Sequence, residues 1–134
     1  MDYYKKMTKK NKKISLKKIQ RLLWEECKRI IRKKYPPNCY CCEKSIQGNN
    51  DHCAHLIPKQ NCGAYLRYDL RNLRRCCRHC NMNLGGNGAI FYRKMLQEEG
   101  QEYVDKLFED KNKLIESSEI YNFYLKLLEK YKNM

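Results

Sequence analysis

The chain has 134 residues and a formal net charge of +14, with 29 Lys and Arg against 15 Asp and Glu. None of its apolar runs approaches the roughly 20 residues that a helix needs to cross a bilayer, which excludes a membrane-spanning helical protein. It carries nine cysteines, and an odd number excludes complete internal disulfide pairing.

The charge is uneven. Residues 1–38 hold 14 Lys and Arg against 3 Asp and Glu, residues 39–100 hold 9 against 5, and residues 101–134 hold 6 against 7. A basic front half points to a polyanionic partner, nucleic acid first. The opening stretch MDYYKKMTKKNKK lacks the apolar core of a secretory leader. A reduced, cytoplasmic protein is therefore expected, in which clustered cysteines bind metal more often than they form disulfides.

In chain order, residues 1–13 are expected to be a disordered basic arm. From Ile14, Leu16, Ile19, Leu23, Cys27 and Ile30 recur at helical spacing, with Ser15 as a candidate N-cap. The helix should end at Tyr35-Pro36-Pro37-Asn38, because proline donates no N–H and restrains the residue before it. Residues 39–63 are turn-rich, and Gln47-Gly-Asn-Asn50 could join two short strands, the second over 51–57. Residues 67–86 begin as a loop, with a helix opening at the second cysteine pair. After Gly85-Gly-Asn-Gly88, a helix closed by Gly100 is expected. Residues 101–116 and 118–132 give two more, with Leu107, Leu114, Ile120, Phe123, Leu127 and Leu128 on their apolar faces. Asn87 is expected to be a turn residue.

Cys39-Tyr-Cys-Cys42 and Cys77-Arg-His-Cys80 are two C-x2-C knuckles with 34 residues between them. Four thiolates at this spacing suit a tetrahedral structural zinc ion. Cys41 and Cys76 adjoin the proposed ligands, but the spacing favours Cys39, Cys42, Cys77 and Cys80. Cys27 should pack within its helix, and Cys53 and Cys62 should fill a small core. Residues 39–100 have few large apolar side chains, so metal ligation would supply much of the folding energy. With the first knuckle on a hairpin and the second opening a helix, the expected fold is α+β, a treble clef flanked by a basic N-terminal helix and C-terminal helices. The expected organisation is an arm over 1–13, a zinc-bound core with its basic helix over 14–100, and a helical extension over 101–134.

His55, Asn72 and Asn81 follow in the order of an HNH nuclease site. The chain resembles the phage NinG/Rap-type recombination endonucleases of the HNH (ββα-metal) superfamily, and shares the Cys-Asn element with the endonuclease VII type. The resemblance rests on CYCCE, AHLIP, LRYDLRNL, CCRHCN, LGGN, FYRKML and GQEYVDKL, which together span roughly residues 15–110. It implies a ββα-metal core and hydrolysis of a phosphodiester in branched DNA. His55 would be the general base, Asn72 the residue that holds the histidine loop, and Asn81 a ligand of a catalytic Mg²⁺ or Mn²⁺. Many HNH enzymes place an Asp directly before the base as the second cation ligand; here that position is Ala54, and NinG-like proteins often have a small residue there too. Alternation along a strand puts Asp51, Cys53 and His55 on one face and His52 with Ala54 on the other, which favours Asp51 as the second cation ligand. His52 is left between a ligand, a DNA contact and an exposed residue. Lys59, Arg67, Arg71, Arg74, Arg75 and Arg78 flank the site and are expected to bind DNA phosphates. Tyr65 and Tyr68 either stack on an unpaired base or pack on the zinc core. The alternatives are a non-catalytic zinc-binding DNA-binding module, or a site-specific or RNA-directed HNH nuclease. The apolar faces of the C-terminal helices could pair two chains.

Overall fold

The structure, a computed structural model, describes residues 13–134, so nearly all of the expected basic arm lies outside the described residues. In chain order its elements are α1 (Leu16–Lys34), β1 (Asp51–His55), α2 (Gly63–Leu66), β2 (Leu73–Cys77), α3 (Gly88–Glu99), α4 (Gln101–Asp110) and α5 (Ile120–Lys132). Helices with a small two-stranded sheet make the architecture α+β. By internal contacts the described chain divides into two units, residues 13–30 with 115–134, and residues 31–114. No described helix is long and apolar enough to cross a membrane.

In the first unit Ser15 caps α1, its Oγ accepting the Lys18 N–H at 3.1 Å. Ile19, Leu23 and Cys27 are fully buried, as the spacing predicts, whereas Leu16 in the opening turn is 38 % exposed. In α5, Tyr124, Leu128 and Tyr131 face inward. The Tyr121 hydroxyl donates to the Ile14 carbonyl at 2.5 Å, and the Arg29 guanidinium donates to the Tyr131 carbonyl at 3.0 Å. This unit is a helical pairing with polar clamps at its ends.

The second unit carries the sheet. β1 pairs antiparallel with β2, in register from Asp51 opposite Cys77 to His55 opposite Leu73. This corrects the expected hairpin across residues 47–50. Those residues form a tight 3-10 turn over Gly48–Asn50, and the segment before it makes only an isolated bridge between Asn38 and Ser45. The partner strand comes from further along the chain, where a loop was expected. β2 reads LRRCC, and four of its five residues are buried, so it has no apolar–polar alternation to reveal a strand.

After β2 the chain makes a short, wide helical turn over His79–Asn83, and then α3. Gly100, at φ 92°, closes α3 and breaks it from α4, a conformation that suits glycine. Val104 and Leu107 of α4 join Phe91, Met95, Leu66, Ile46 and the buried cysteines in one core. α4 ends at Asp110 rather than continuing to 116. Leu114 therefore lies beyond the helix and is 95 % exposed, not on an apolar helix face.

Candidate functional site

The two knuckles bring Cys39, Cys42, Cys77 and Cys80 together, with all four sulfurs within 4.8 Å of one another. A tetrahedral ion with metal–sulfur bonds of about 2.3 Å has sulfur–sulfur edges of about 3.8 Å, and the Cys42 and Cys77 sulfurs are 3.8 Å apart. Each knuckle also turns a backbone N–H onto its first sulfur, Cys42 N to Cys39 Sγ at 3.4 Å and Cys80 N to Cys77 Sγ at 3.4 Å. Burial opposes ionisation of Cys39, but the N–H groups of Cys42, Cys77 and Cys41 bring its thiol down to about 6. Burial and the sulfurs of Cys77 and Cys39 push Cys80 up. Four thiols this close cannot all ionise without a cation among them, so the donor set fits a metal ion. Cys41 and Cys76 stand beside the cluster as a separate thiol pair, 3.9 Å apart.

At the other end of β1 lies a cleft of about 430 Å³ lined by His55, Lys59, Gln60, Asn81 and the backbone of Gly85, Gly86 and Gly88, among others. His55 and Asn81 thus line one cleft. Gly85 and Gly86 have φ of 60° and 93°, while Gly88 does not sit at positive φ, and a Cβ there would meet nothing within 4 Å. Its missing side chain leaves one wall of the cleft as bare backbone.

The ring of His55 is fixed by its Nε2, 2.9 Å from the Arg67 carbonyl. A carbonyl only accepts, so Nε2 carries the proton and Nδ1 carries the lone pair. Burial, together with the nearby charges of Lys59 and Arg67, lowers the pKa of His55 below its ordinary value, against the raising effect of the Arg67 carbonyl. Asn72 is fully buried. Its Oδ1 accepts the Ile57 N–H at 2.8 Å and its Nδ2 donates to the Ile57 carbonyl at 3.0 Å. The Leu56 N–H adds a bond to the Asn72 backbone carbonyl at 2.9 Å. The amide of Asn72 therefore does for the segment after His55 what a paired strand would do.

Asp51 is a correction. It shares a strand face with His55 but stands four residues away, about 13 Å along an extended chain. Both carboxylate oxygens are taken by the Arg75 guanidinium, at 3.2 and 2.7 Å, and Arg32 Nε lies 3.3 Å from Oδ2. The side chain facing Asn81 is instead His52, whose Nδ1 is 3.0 Å from Asn81 Nδ2.

The proposed phosphate contacts divide in two. Arg74 is fully buried, donating to the Leu73 carbonyl at 2.7 Å and to Glu99 at 3.1 Å, with its guanidinium over the rings of Tyr35 and Tyr40. Arg75, besides gripping Asp51, caps the end of α1 through the Tyr35 carbonyl at 2.9 Å. Arg71 is held by Asp69 and by the buried Asp110, at 2.8 and 3.0 Å. These three support the fold and do not present free guanidinium groups to a ligand, which corrects their assignment to DNA. Lys59 and Arg78 are exposed, and Arg67 keeps a buried Nε with no hydrogen-bond partner. Tyr68 is buried, and Tyr65 packs against the core, so the tyrosines sit as core residues. Asn87 adopts the left-handed conformation of a turn residue, at φ 51°.

Comparison with protein-family models, with curated proteins and with solved structures gave no significant match.

Proposed function

We propose that the chain is a metal-dependent endonuclease that hydrolyses a phosphodiester of DNA, branched recombination intermediates being the substrate class that its resemblance implies. The observation that carries this reading is the state of His55. Its Nε2–H donates to the Arg67 carbonyl, which fixes the tautomer with the lone pair on Nδ1, and the ring lines the same cleft as Asn81. A neutral imidazole at working pH can take the proton of an attacking water. Asn72 keeps the histidine segment in place. Asn81 holds the catalytic cation. When bound, a divalent cation at Asn81 supplies charge stabilisation at the scissile phosphate and at the leaving 3′ oxygen. Lys59, Arg67 and Arg78 bring phosphate to the cleft. The four cysteines hold a structural zinc ion, in a treble-clef arrangement with the knuckle before β1 and the short turn after β2.

A second reading, a zinc-binding DNA module without catalysis, is favoured by Ala54, which stands where many HNH enzymes carry an Asp. Incubation with supercoiled plasmid and branched oligonucleotides, with Mg²⁺ or Mn²⁺, separates the two. His55→Ala should lower the cleavage rate by about 10²–10⁴ while keeping zinc and DNA affinity. Binding without cutting by the wild-type chain under any divalent cation would establish the second reading.

A further inference from the structure

This inference rests on the reading that the His55 cleft works with a divalent cation. We infer that the cation site of this chain is built without a carboxylate, from the imidazole of His52 and the amide of Asn81, and that it selects Mn²⁺ or a later first-row ion over Mg²⁺ and fills together with substrate phosphate.

The geometry begins at the His52–Asn81 contact. Asn81 Nδ2 lies 3.0 Å from His52 Nδ1. The amide nitrogen is a donor only, so Nδ1 turns its lone pair toward Asn81. A half-turn of the amide brings Oδ1 to the same place. Two donors at right angles on an octahedral ion, each about 2.1 Å from it, lie about 3.0 Å apart. The pair is therefore already at the spacing that one ion requires.

The acid nearest in sequence is engaged elsewhere. Asp51 is the only carboxylate on β1, and its two oxygens are 3.2 and 2.7 Å from the Arg75 guanidinium. Withdrawing it would leave the Arg75 guanidinium, whose side chain is 11 % exposed, without its carboxylate. Among the described residues, the one group of three or more His, Cys, Asp or Glu side chains able to share an ion is the four-cysteine cluster. From the residues that meet there, the site offers one imidazole nitrogen and one amide oxygen, neither of which brings a negative charge.

The ion class follows from that ligand set. Mg²⁺ sheds its waters reluctantly and is held chiefly by carboxylates and phosphates. Imidazole adds little for it, but binds first-row ions with an affinity that rises from Mn²⁺ toward Ni²⁺. With no protein charge opposing the ion's two positive charges, the negative charge must come from the phosphate. Cation and nucleic acid then raise each other's affinity by the same factor.

The test uses the full-length, zinc-loaded His55→Ala chain, so that DNA stays intact. Free Mn²⁺ is followed by electron paramagnetic resonance, with and without a branched oligonucleotide, and DNA alone is subtracted. One Mn²⁺ per chain should bind, about tenfold or more tightly with DNA present, and Mg²⁺ should displace it only at large excess. Adding His52→Ala should abolish this binding, and His52→Asp should let Mg²⁺ compete near parity. Binding that survives His52→Ala, or Mg²⁺ competing equally before and after His52→Asp, overturns the inference. Cleavage is measured separately on chains with His55 intact. If Mn²⁺ sits on His52 and no DNA is ever cut, the nuclease reading falls and the cation site stands. If DNA is cut best with Mg²⁺, and equally by His52→Ala, the nuclease reading stands and the cation site falls.

Discussion

Asn72→Ala tests whether one buried amide holds the histidine segment. Asn72 is 0 % exposed and satisfies both backbone groups of Ile57, at 2.8 and 3.0 Å. Truncation leaves an N–H and a carbonyl buried without partners. Each costs about 1–3 kcal/mol, so the pair costs about 2–6 kcal/mol, a large share of the roughly 5–15 kcal/mol that holds a domain folded. With a urea dependence of about 2 kcal/mol per molar, the unfolding midpoint of the zinc-saturated protein should fall by about 1–3 M. Asn72→Asp should fare no better, because a carboxylate cannot donate to the Ile57 carbonyl and adds a buried charge. Imidazole NMR should show His55 losing its single protonated-Nε2 state in whatever folded protein remains. A midpoint unchanged in both variants, with the His55 signals unmoved, would refute the account of Asn72 as the clamp of this segment.

Removing the structural metal should cost more. Zinc in small domains contributes about 10–16 kcal/mol of apparent binding energy, so Cys80→Ser or a strong chelator should unfold residues 31–114, while Cys41→Ser should keep one zinc per chain by elemental analysis. Arg74→Ala should lower the unfolding midpoint and leave the salt dependence of DNA affinity unchanged. Lys59→Ala should instead leave stability intact and flatten the slope of log affinity against log salt by about 0.9, the value of one phosphate contact. The pKa of His55 is lowered from 6.5, so the acidic limb of the cleavage profile should lie below that pH. The folded state binds fewer protons there than the unfolded chain, so His55 should also cost stability as pH falls from 6.5 toward the lowered value. A cleavage limb at or above the ordinary imidazole value would contradict the burial of the ring.

The parts of the fold legible in the sequence are those in which one residue type can do only one job at its position. Ser15 before an apolar period gave the start of α1, and the prolines gave its end. Gly100 closed α3 because the chain needed a positive φ there. The C-x2-C spacing found the four-thiol cluster because few folds turn so tightly by accident. β2 was missed for the opposite reason. Its Arg74 is buried and its Arg75 half-buried, both with internal partners, and in a sequence such residues are indistinguishable from solvated ones. The same blindness assigned three arginines to DNA that the fold uses for itself.

Asp51 shows where face counting along a strand stops being useful. Alternation correctly put Asp51 and His55 on one face of β1, but face says nothing about distance along the strand or about what already occupies a side chain. Asp51 belongs to Arg75, and that pairing closes the end of α1 and the end of β1 in one contact. Asn81, which follows Cys80 of the second knuckle, turns instead toward His52. A carboxylate at residue 54 would stand opposite Arg74 in the register, beside a guanidinium already paired with Glu99. Ala54 is itself 1 % exposed, packed in the core with the cysteines. A charge at that position would be buried among sulfurs and apolar side chains, a costly exchange. In this chain residue 54 serves the core, and the β1 side chain that faces Asn81 is His52, two residues before it.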